Sequence, residues 1–228
     1  YQKNDFDGFI LYGEKALLEL PNTPELLAQL AALYSQKHQP LKATKYAIRA
    51  LPLLDDLRKQ GSISSIQWVA MRRTLKADAH YALGFSNLQR WHASSLKPPK
   101  QLEQAIEHLN QALELAPDYA YAAFRLGFSQ KQSDNMEAAL SAYARAAVIE
   151  GPAAGLAKKN VERIHKNLQR ISIAKWGETN VDLLLKDEGD RLRVLLEEKE
   201  QELARLAGQI DLQEMMQLDL PPPTLPGN

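Results

Sequence analysis

Cysteine is absent from this 228-residue chain, and glycine is scarce, with 11 residues. Without cysteine there are no disulfide bonds, zinc–thiolate sites or cysteine nucleophiles, and both the cytoplasm and the bacterial periplasm stay open as compartments. A surplus of either charge is also missing, because lysine plus arginine and aspartate plus glutamate both number 28. Bulk charge therefore does not point to nucleic acid or an anionic membrane. No apolar run approaches the roughly 18 to 20 residues of a membrane span.

Strand patterns are missing as well. No segment alternates β-branched and polar residues, whereas apolar residues recur at intervals of three and four, as in helices. Helix starts are indicated by two capping boxes, Ser64 with Gln67 and Asp134 with Glu137. These signals predict nine helices, at residues 5–20, 24–38, 40–59, 64–92, 99–116, 120–132, 135–150, 154–175 and 178–210.

Small and large apolar residues recur at fixed intervals along the chain. From Gly127, the residues Ala139, Tyr143 and Ala146 follow at intervals of 12, 16 and 19. The same order recurs upstream over residues 83–117 and, more weakly, over residues 30–50. The positions that carry the repeat are Gly84, Ala105, Pro117, Gly127, Ala139, Tyr143 and Ala146.

These residues resemble the tetratricopeptide repeat, a helical hairpin of 34 residues. The resemblance implies an all-α fold, a right-handed superhelical stack of hairpins with extended helices in the second unit and capping helices at the C-terminal end. Gly127 and Ala139 are then expected where two helices cross, with Tyr143 between neighbouring hairpins. The predicted boundaries are a solenoid (1–174) made of a half repeat (7–23), three repeats (24–57, 64–119, 120–153) and a capping helix (154–174), followed by a helical extension (175–212) and a flexible proline-rich tail (213–228).

Insertions between the repeats lengthen several helices. The predicted helix 64–92 would be about 43 Å long at 1.5 Å per residue, so its hairpin is expected to project beyond the stack. An apolar stripe near Trp68 either packs on helix 40–59 or forms a partner or dimer surface.

Charge is unevenly distributed over the last two helices. Basic residues dominate 154–175 and acidic residues dominate 178–210, which predicts an antiparallel pair with facing charges rather than a nucleic-acid surface. Val161, Ile164 and Leu168 are expected to cover the open end of the last repeat. The apolar stripe of the acidic helix suits packing on the solenoid or on a dimer mate.

The family resemblance also implies a concave surface lined by the first helix of each hairpin. Aromatic pairs at a spacing of four share a helical face there, with basic residues beside them. Such a groove suits an apolar segment with some acidic character, either from a partner or from the chain's own residues 211–220. Alternatively, the chain's own helices fill it. The candidate groove residues are Tyr81, Phe85, Tyr121, Phe124, Arg125, Phe128, Lys131 and Lys158.

No catalytic, cofactor-binding or metal-binding motif stands out. The chain has no Gly-rich phosphate loop, HExxH or GxSxG, and its five histidines are scattered, with His80 expected in the core or at the groove edge. The resemblance therefore implies a non-enzymatic adaptor or scaffold that binds a protein or peptide, with no cofactor and no nucleic acid. Two alternatives stay open: an oligomerisation module, such as a homodimer, built on the long hairpin and the C-terminal helix, and an RNA-binding helical repeat.

Overall fold

The computed structural model describes residues 6–59 and 63–218, and every regular element in these ranges is a helix. None of these helices is long and apolar enough to cross a bilayer. The prediction of an all-α chain is therefore confirmed. The helices are α1 (Phe6–Glu19), α2 (Pro24–Gln36), α3 (Pro40–Asp56), α4 (Ser65–Ala93), α5 (Pro99–Leu115), α6 (Ala120–Gln132), α7 (Met136–Val148), α8 (Ala154–Ile171), α9 (Ile173–Trp176) and α10 (Val181–Leu218).

One of the two predicted capping boxes is confirmed. The Ser64 hydroxyl accepts a hydrogen bond from the Gln67 backbone N at 3.3 Å, and the Gln67 side chain accepts one from the Ser64 backbone N at 3.4 Å. The box predicted at Asp134 is wrong, because Asn135 caps α7 by accepting a hydrogen bond from Ala138 N at 3.3 Å. Asp134 itself has a φ of 61° and turns the chain between α6 and α7, a conformation that aspartate tolerates better than most residues.

Consecutive helices pack as three hairpins, α2 with α3, α4 with α5, and α6 with α7. Helix α1 packs on α2 at one end of the stack, and α8 packs on α7 at the other. The cover predicted for this second end is confirmed: Val161, Ile164 and Leu168 are buried in the same cluster as Ala139 and Tyr143. Stacking thus buries the apolar face that a single hairpin leaves exposed.

Glycines occupy equivalent places in the second and third hairpins. A Cβ atom at Gly127 would lie 2.8 Å from Cγ of Tyr143, and one at Gly84 would lie 2.8 Å from Cγ of Leu109. A close-packed interior has no room for such contacts, so the side chain that fills each hairpin requires glycine opposite it. The close approach predicted at Gly127 therefore exists, and its nearest atoms belong to the Tyr143 ring.

The extra length of α4 does not project from the stack, so that prediction is wrong. The N-terminal half of α4 lies between α3 and α10. On the α3 side, Leu75 is buried in a cluster with Leu54, and Arg72 Nε donates a hydrogen bond to the Leu54 carbonyl at 2.5 Å. On the α10 side, Arg73 donates to the Lys199 carbonyl at 3.2 Å. The helices α3 and α10 therefore contact this half of α4 on two sides, where its apolar stripe can pack.

Helix α10 packs across α7 and α4 rather than along α8. Its buried carboxylate Glu188, only 3% exposed, accepts a hydrogen bond from Arg145 Nε of α7 at 2.9 Å. In the described part of the chain, one ion pair links α8 to α10, between Lys158 and Asp182 at 3.7 Å. The predicted facing of a basic and an acidic helix is therefore wrong, because α10 docks its apolar stripe on the hairpins.

The C-terminal helix is longer than predicted. Residues 213–218, predicted as the start of a flexible tail, belong to α10. Lys59 Nζ lies 2.8 Å from a carboxylate oxygen of Glu214, and the Ser65 hydroxyl donates a hydrogen bond to Asp211. These contacts tie this end of α10 to the start of α4. The rest of the predicted tail, 219–228, lies outside the described residues.

Candidate binding groove

Helices α2, α4 and α6 line a groove that runs across the three hairpins, named here the α2–α4–α6 groove. It contains a cavity of about 500 Å³ between α4, α6 and the turn that follows α2. A smaller cavity of about 190 Å³ adjoins it and shares three of its residues. The residues that line the larger cavity are His38, Pro40, Phe85, Leu88, Gln89, His92, Ala93, Arg125 and Phe128.

Aromatic rings form the floor of this groove. The rings of Tyr81 and Phe85 stack with centroids 5.8 Å apart, and Tyr119 lies 4.9 Å from Tyr81. Tyr81 and Phe85 are only 3% and 5% exposed, so most of their surface is already buried by the fold. Tyr121 is 45% exposed at the rim. The floor is therefore packed into the fold, and the exposed aromatic surface comes mainly from Tyr121 on α6.

Arg125 of α6 is the charged group at the centre of the groove. Its guanidinium lies 4.1 Å from the Phe85 ring centroid and 5.9 Å from that of Phe124. Within residues 6–59 and 63–218, no carboxylate forms an ion pair with Arg125, and its buried Nε has no hydrogen-bond acceptor. Burial raises the pKa of Tyr81, and the nearby Arg125 opposes this rise. Arg125 therefore carries a positive charge that the described part of the fold leaves unneutralised.

The other end of the groove carries a carboxylate. Asp78 of α4 lines a cavity of about 450 Å³ that also includes Phe6 and Phe9 of α1. The Tyr119 hydroxyl donates a hydrogen bond to Asp78 Oδ1 at 2.9 Å. Burial raises the pKa of Asp78, while this hydrogen bond lowers it. The groove thus has a positive group at its α6 end and an acidic group at its α1 end.

The structure does not bring all the predicted groove residues together. Tyr81, Phe85, Tyr121 and Arg125 line one cavity, which continues into the larger one that Phe128 borders. The Phe124 ring instead packs edge-on against Tyr143, with centroids 5.4 Å apart, and contributes to the core of the third hairpin. Lys131, at the end of α6, and Lys158, which pairs with α10, line neither of these two cavities.

His38 belongs to the groove but does not stand out in the sequence. It has a φ of 55° in the turn between α2 and α3, and its ring lies 6.0 Å from that of Phe85. Gln89 Nε2 lies 3.1 Å from His38 Nδ1 and donates a hydrogen bond to the Ser35 carbonyl at 2.9 Å. His38 lies at the end of the helix predicted over 24–38, whereas the structure places it in the turn after α2. The repeat pattern assigns no groove position to this residue and so does not predict it as part of the site.

The chain's own residues 211–218 do not occupy the groove. Asp211 and Glu214 contact Ser65 and Lys59, at the N-terminal end of α4. The groove begins at Asp78, about 20 Å further along the same helix. Residues 219 and 220 of the segment considered above lie outside the described residues.

Comparison with known proteins agrees with the hairpin architecture. Residues 100–134 match a family model described as TPR repeat. The fold is similar to a crystal structure of MamA, with a TM-score of 0.50 and 23% identity over 89% of this chain and 93% of that one. A second MamA crystal structure has a TM-score of 0.49 and 23% identity, covering 89% of this chain and 87% of that chain. No protein with a curated description matches the chain.

The fold and the family match together define the class as a helical-repeat protein. Residues 100–134 match the tetratricopeptide repeat, and the described chain has the stacked-hairpin fold of a helical-repeat protein. The match covers α5 except for its first residue and the whole of α6, where the repeat spacing is clear. Proteins built from this repeat are generally non-catalytic scaffolds that bind other proteins.

Proposed function

We propose that this protein is a non-enzymatic adaptor that binds a peptide segment of another protein in the α2–α4–α6 groove. The observation that carries the proposal is Arg125, a stacked guanidinium without a carboxylate partner in the described ranges, beside a cavity of about 500 Å³. Arginine held on an aromatic face is pre-organised to bind a carboxylate, because little side-chain freedom is lost on binding.

The shape and charge of the groove restrict the segment further. An apolar side chain fits the cavity bordered by Leu88 and Phe128, and an acidic side chain next to it reaches Arg125. At the opposite end, Asp78 with Phe6 and Phe9 suits a basic side chain, since aromatic faces and a carboxylate both attract a cation. A segment with an acidic and a basic end therefore binds in one direction only.

An oligomerisation role is the second candidate, and the position of α10 weighs against it. The inward stripe of α10 is used within the chain, where Leu192 and Leu203 are buried. The N-terminal half of α4 is likewise covered by α3 and α10. The inward side of α10 and the sides of α4 that face α3 and α10 are therefore already used within the chain.

Peptide display on the full chain tests the proposal. Selection from a random peptide library should enrich sequences with an apolar residue next to Asp or Glu. Removing the charge in Arg125→Gln should weaken their binding at least about tenfold, which corresponds to about 1.4 kcal/mol. Phe128→Ala should weaken binding similarly, by removing one wall of the cavity. Fluorescence polarisation with labelled peptides measures both effects.

Two control variants separate groove binding from general effects. Arg193→Gln removes an arginine that is exposed on α10, and Tyr12→Ala removes an aromatic ring that is exposed on α1. Both should bind the selected peptides as the unaltered chain does. Selected peptides that bind Arg125→Gln and Phe128→Ala with unchanged affinity would show that the groove is not the binding site.

A further inference from the structure

Two histidines face each other across the second hairpin. His80 of α4 and His108 of α5 place their Nδ1 atoms 3.4 Å apart, with ring centroids 5.6 Å apart. One turn further along α5, Gln111 brings its Oε1 to 2.9 Å from Nδ1 of His108. The Gln111 oxygen can only accept, so Nδ1 of His108 donates this hydrogen bond, and the three polar atoms lie in one cluster. All three side chains are half-buried, so the cluster keeps access to solvent.

The separation of the two nitrogens matches the edge of a tetrahedral metal site. Zinc binds imidazole nitrogen at about 2.05 Å, so two such ligands at the tetrahedral angle lie about 3.3 Å apart. The two histidines have this spacing without any movement of the helices. Imidazole is also the side chain that zinc, copper and nickel ions bind most readily among the residues of a cysteine-free chain.

Charged side chains near the two histidines also affect the approach of a cation. The nearby Lys76 ammonium is itself paired with Asp55. Repulsion of an incoming cation by Lys76 is thus partly offset.

We propose that His80, His108 and Gln111 form a binding site for a divalent transition-metal ion of the zinc class. Both imidazoles would bind through Nδ1 and carry their ring proton on Nε2, so metal binding would move the His108 proton from Nδ1 to Nε2 by exchange with water. The Gln111 amide oxygen, released from its hydrogen bond, would be the third ligand, and water would complete the shell. In the described ranges no three histidine, aspartate or glutamate side chains cluster as a metal site. The proposed set therefore depends on the glutamine. Because α4 and α5 each supply a ligand, the ion would also cross-link the second hairpin.

Zinc titration of the full chain tests this inference, using protein without a histidine tag, since a tag would compete for the ion. Side-chain NMR of the histidine rings should show His80 and His108 shifting together at one equivalent of zinc. The rings of His38, His92 and His165 should stay unchanged. Magnesium, which prefers oxygen ligands, should produce no shift. Zinc shifts that miss His80 and His108, or no shifts, would overturn the site, and this readout needs no substitution.

Variants provide the second measurement, by isothermal titration calorimetry. His108→Leu should abolish the zinc-binding heat, and Gln111→Leu should lower the affinity about tenfold, as expected when a supporting ligand is lost. His92→Gln, which alters an exposed histidine on α4, the helix that carries His80, should keep the full affinity. Zinc binding that survives His108→Leu would refute the site. Neither outcome depends on whether the α2–α4–α6 groove binds peptides.

Discussion

Single residues decide how closely the two helices of each hairpin approach. In the second and third hairpins a glycine on the first helix faces the side chain that fills the hairpin, Leu109 opposite Gly84 and Tyr143 opposite Gly127. Both facing side chains are fully buried. A larger residue at either glycine has to displace an atom that itself has no free space to enter.

Gly127→Ala should therefore lower the free energy of unfolding by about 1–3 kcal/mol, because the added Cβ forces the Tyr143 ring to move. Urea denaturation of the two proteins measures the difference. Gly189→Ala is the matched control: a Cβ there meets nothing within 4 Å, and alanine in a helix is favoured over glycine by up to about 1 kcal/mol. Equal midpoints for Gly127→Ala and the unaltered chain would contradict the close contact.

The sequence predicts these contacts because repeat spacing fixes which residues face each other within a hairpin. It predicts the groove less well. Spacing places Phe124 and Phe128 on one helical face, yet Phe124 packs on Tyr143 while Phe128 borders the cavity. A four-residue step turns a side chain by about 40°, enough to separate core from groove. Which of two side chains on one helical face is buried depends on the neighbouring helices. The residue pattern of a single helix holds no information about those neighbours.

At the scale of elements, the sequence predicts where the helices lie along the chain better than it predicts how they pack. Helix bounds agree with the predictions within a few residues for α1 to α7, since periodicity and caps are local signals. The position of α10, in contrast, depends on contacts with helices that are distant in the sequence. Its buried acid Glu188 pairs with Arg145, an isolated arginine on α7 that no run of charge marks. The basic helix α8 gives a stronger charge signal, but its apolar residues Val161, Ile164 and Leu168 are already buried against the third hairpin.

The pair between Glu188 and Arg145 should hold α10 on the third hairpin. Glu188→Ala leaves the arginine, which is only 23% exposed, without its hydrogen-bond acceptor, so docking should weaken by about 1–3 kcal/mol. Hydrogen exchange followed by mass spectrometry should show faster exchange in α10 and unchanged exchange in α2 and α3.

Asp190→Ala is the control for this prediction. Asp190 is exposed and pairs with Arg193 on its own helix, and exposed pairs contribute at most about 1 kcal/mol. Exchange in α10 should therefore stay close to that of the unaltered chain. If Glu188→Ala and Asp190→Ala behave alike, the buried pair does not determine docking.

At the scale of the whole molecule, α10 connects hairpins that the stack alone links only through neighbours. It pairs with α7 through Glu188 and reaches Lys59, after α3, through Glu214. In a simple repeat array each unit contacts only the next one, and stability is close to a sum of neighbour terms. A helix that spans several units adds contacts between parts of the chain far apart in sequence.

Removal of α10 should accordingly change the shape of the unfolding transition as well as its midpoint. The full chain should unfold in one transition with equal calorimetric and van't Hoff enthalpies. A chain that ends at Asn180 should unfold at lower temperature, with a van't Hoff enthalpy below the calorimetric value, because the hairpins then separate more independently. Differential scanning calorimetry measures both, and a truncated chain with a single unaltered transition would contradict this role.

Arrays of helical repeats commonly bend and twist as a whole, since small rotations at every interface between repeats add up along the stack. The attachment of α10 at both of its ends opposes these rotations over the second and third hairpins. The width of the groove on α4 and α6 should therefore vary little. Under the proposed function, a groove of nearly fixed width would lose little conformational entropy on binding and would reject segments that a softer array would bend to accommodate.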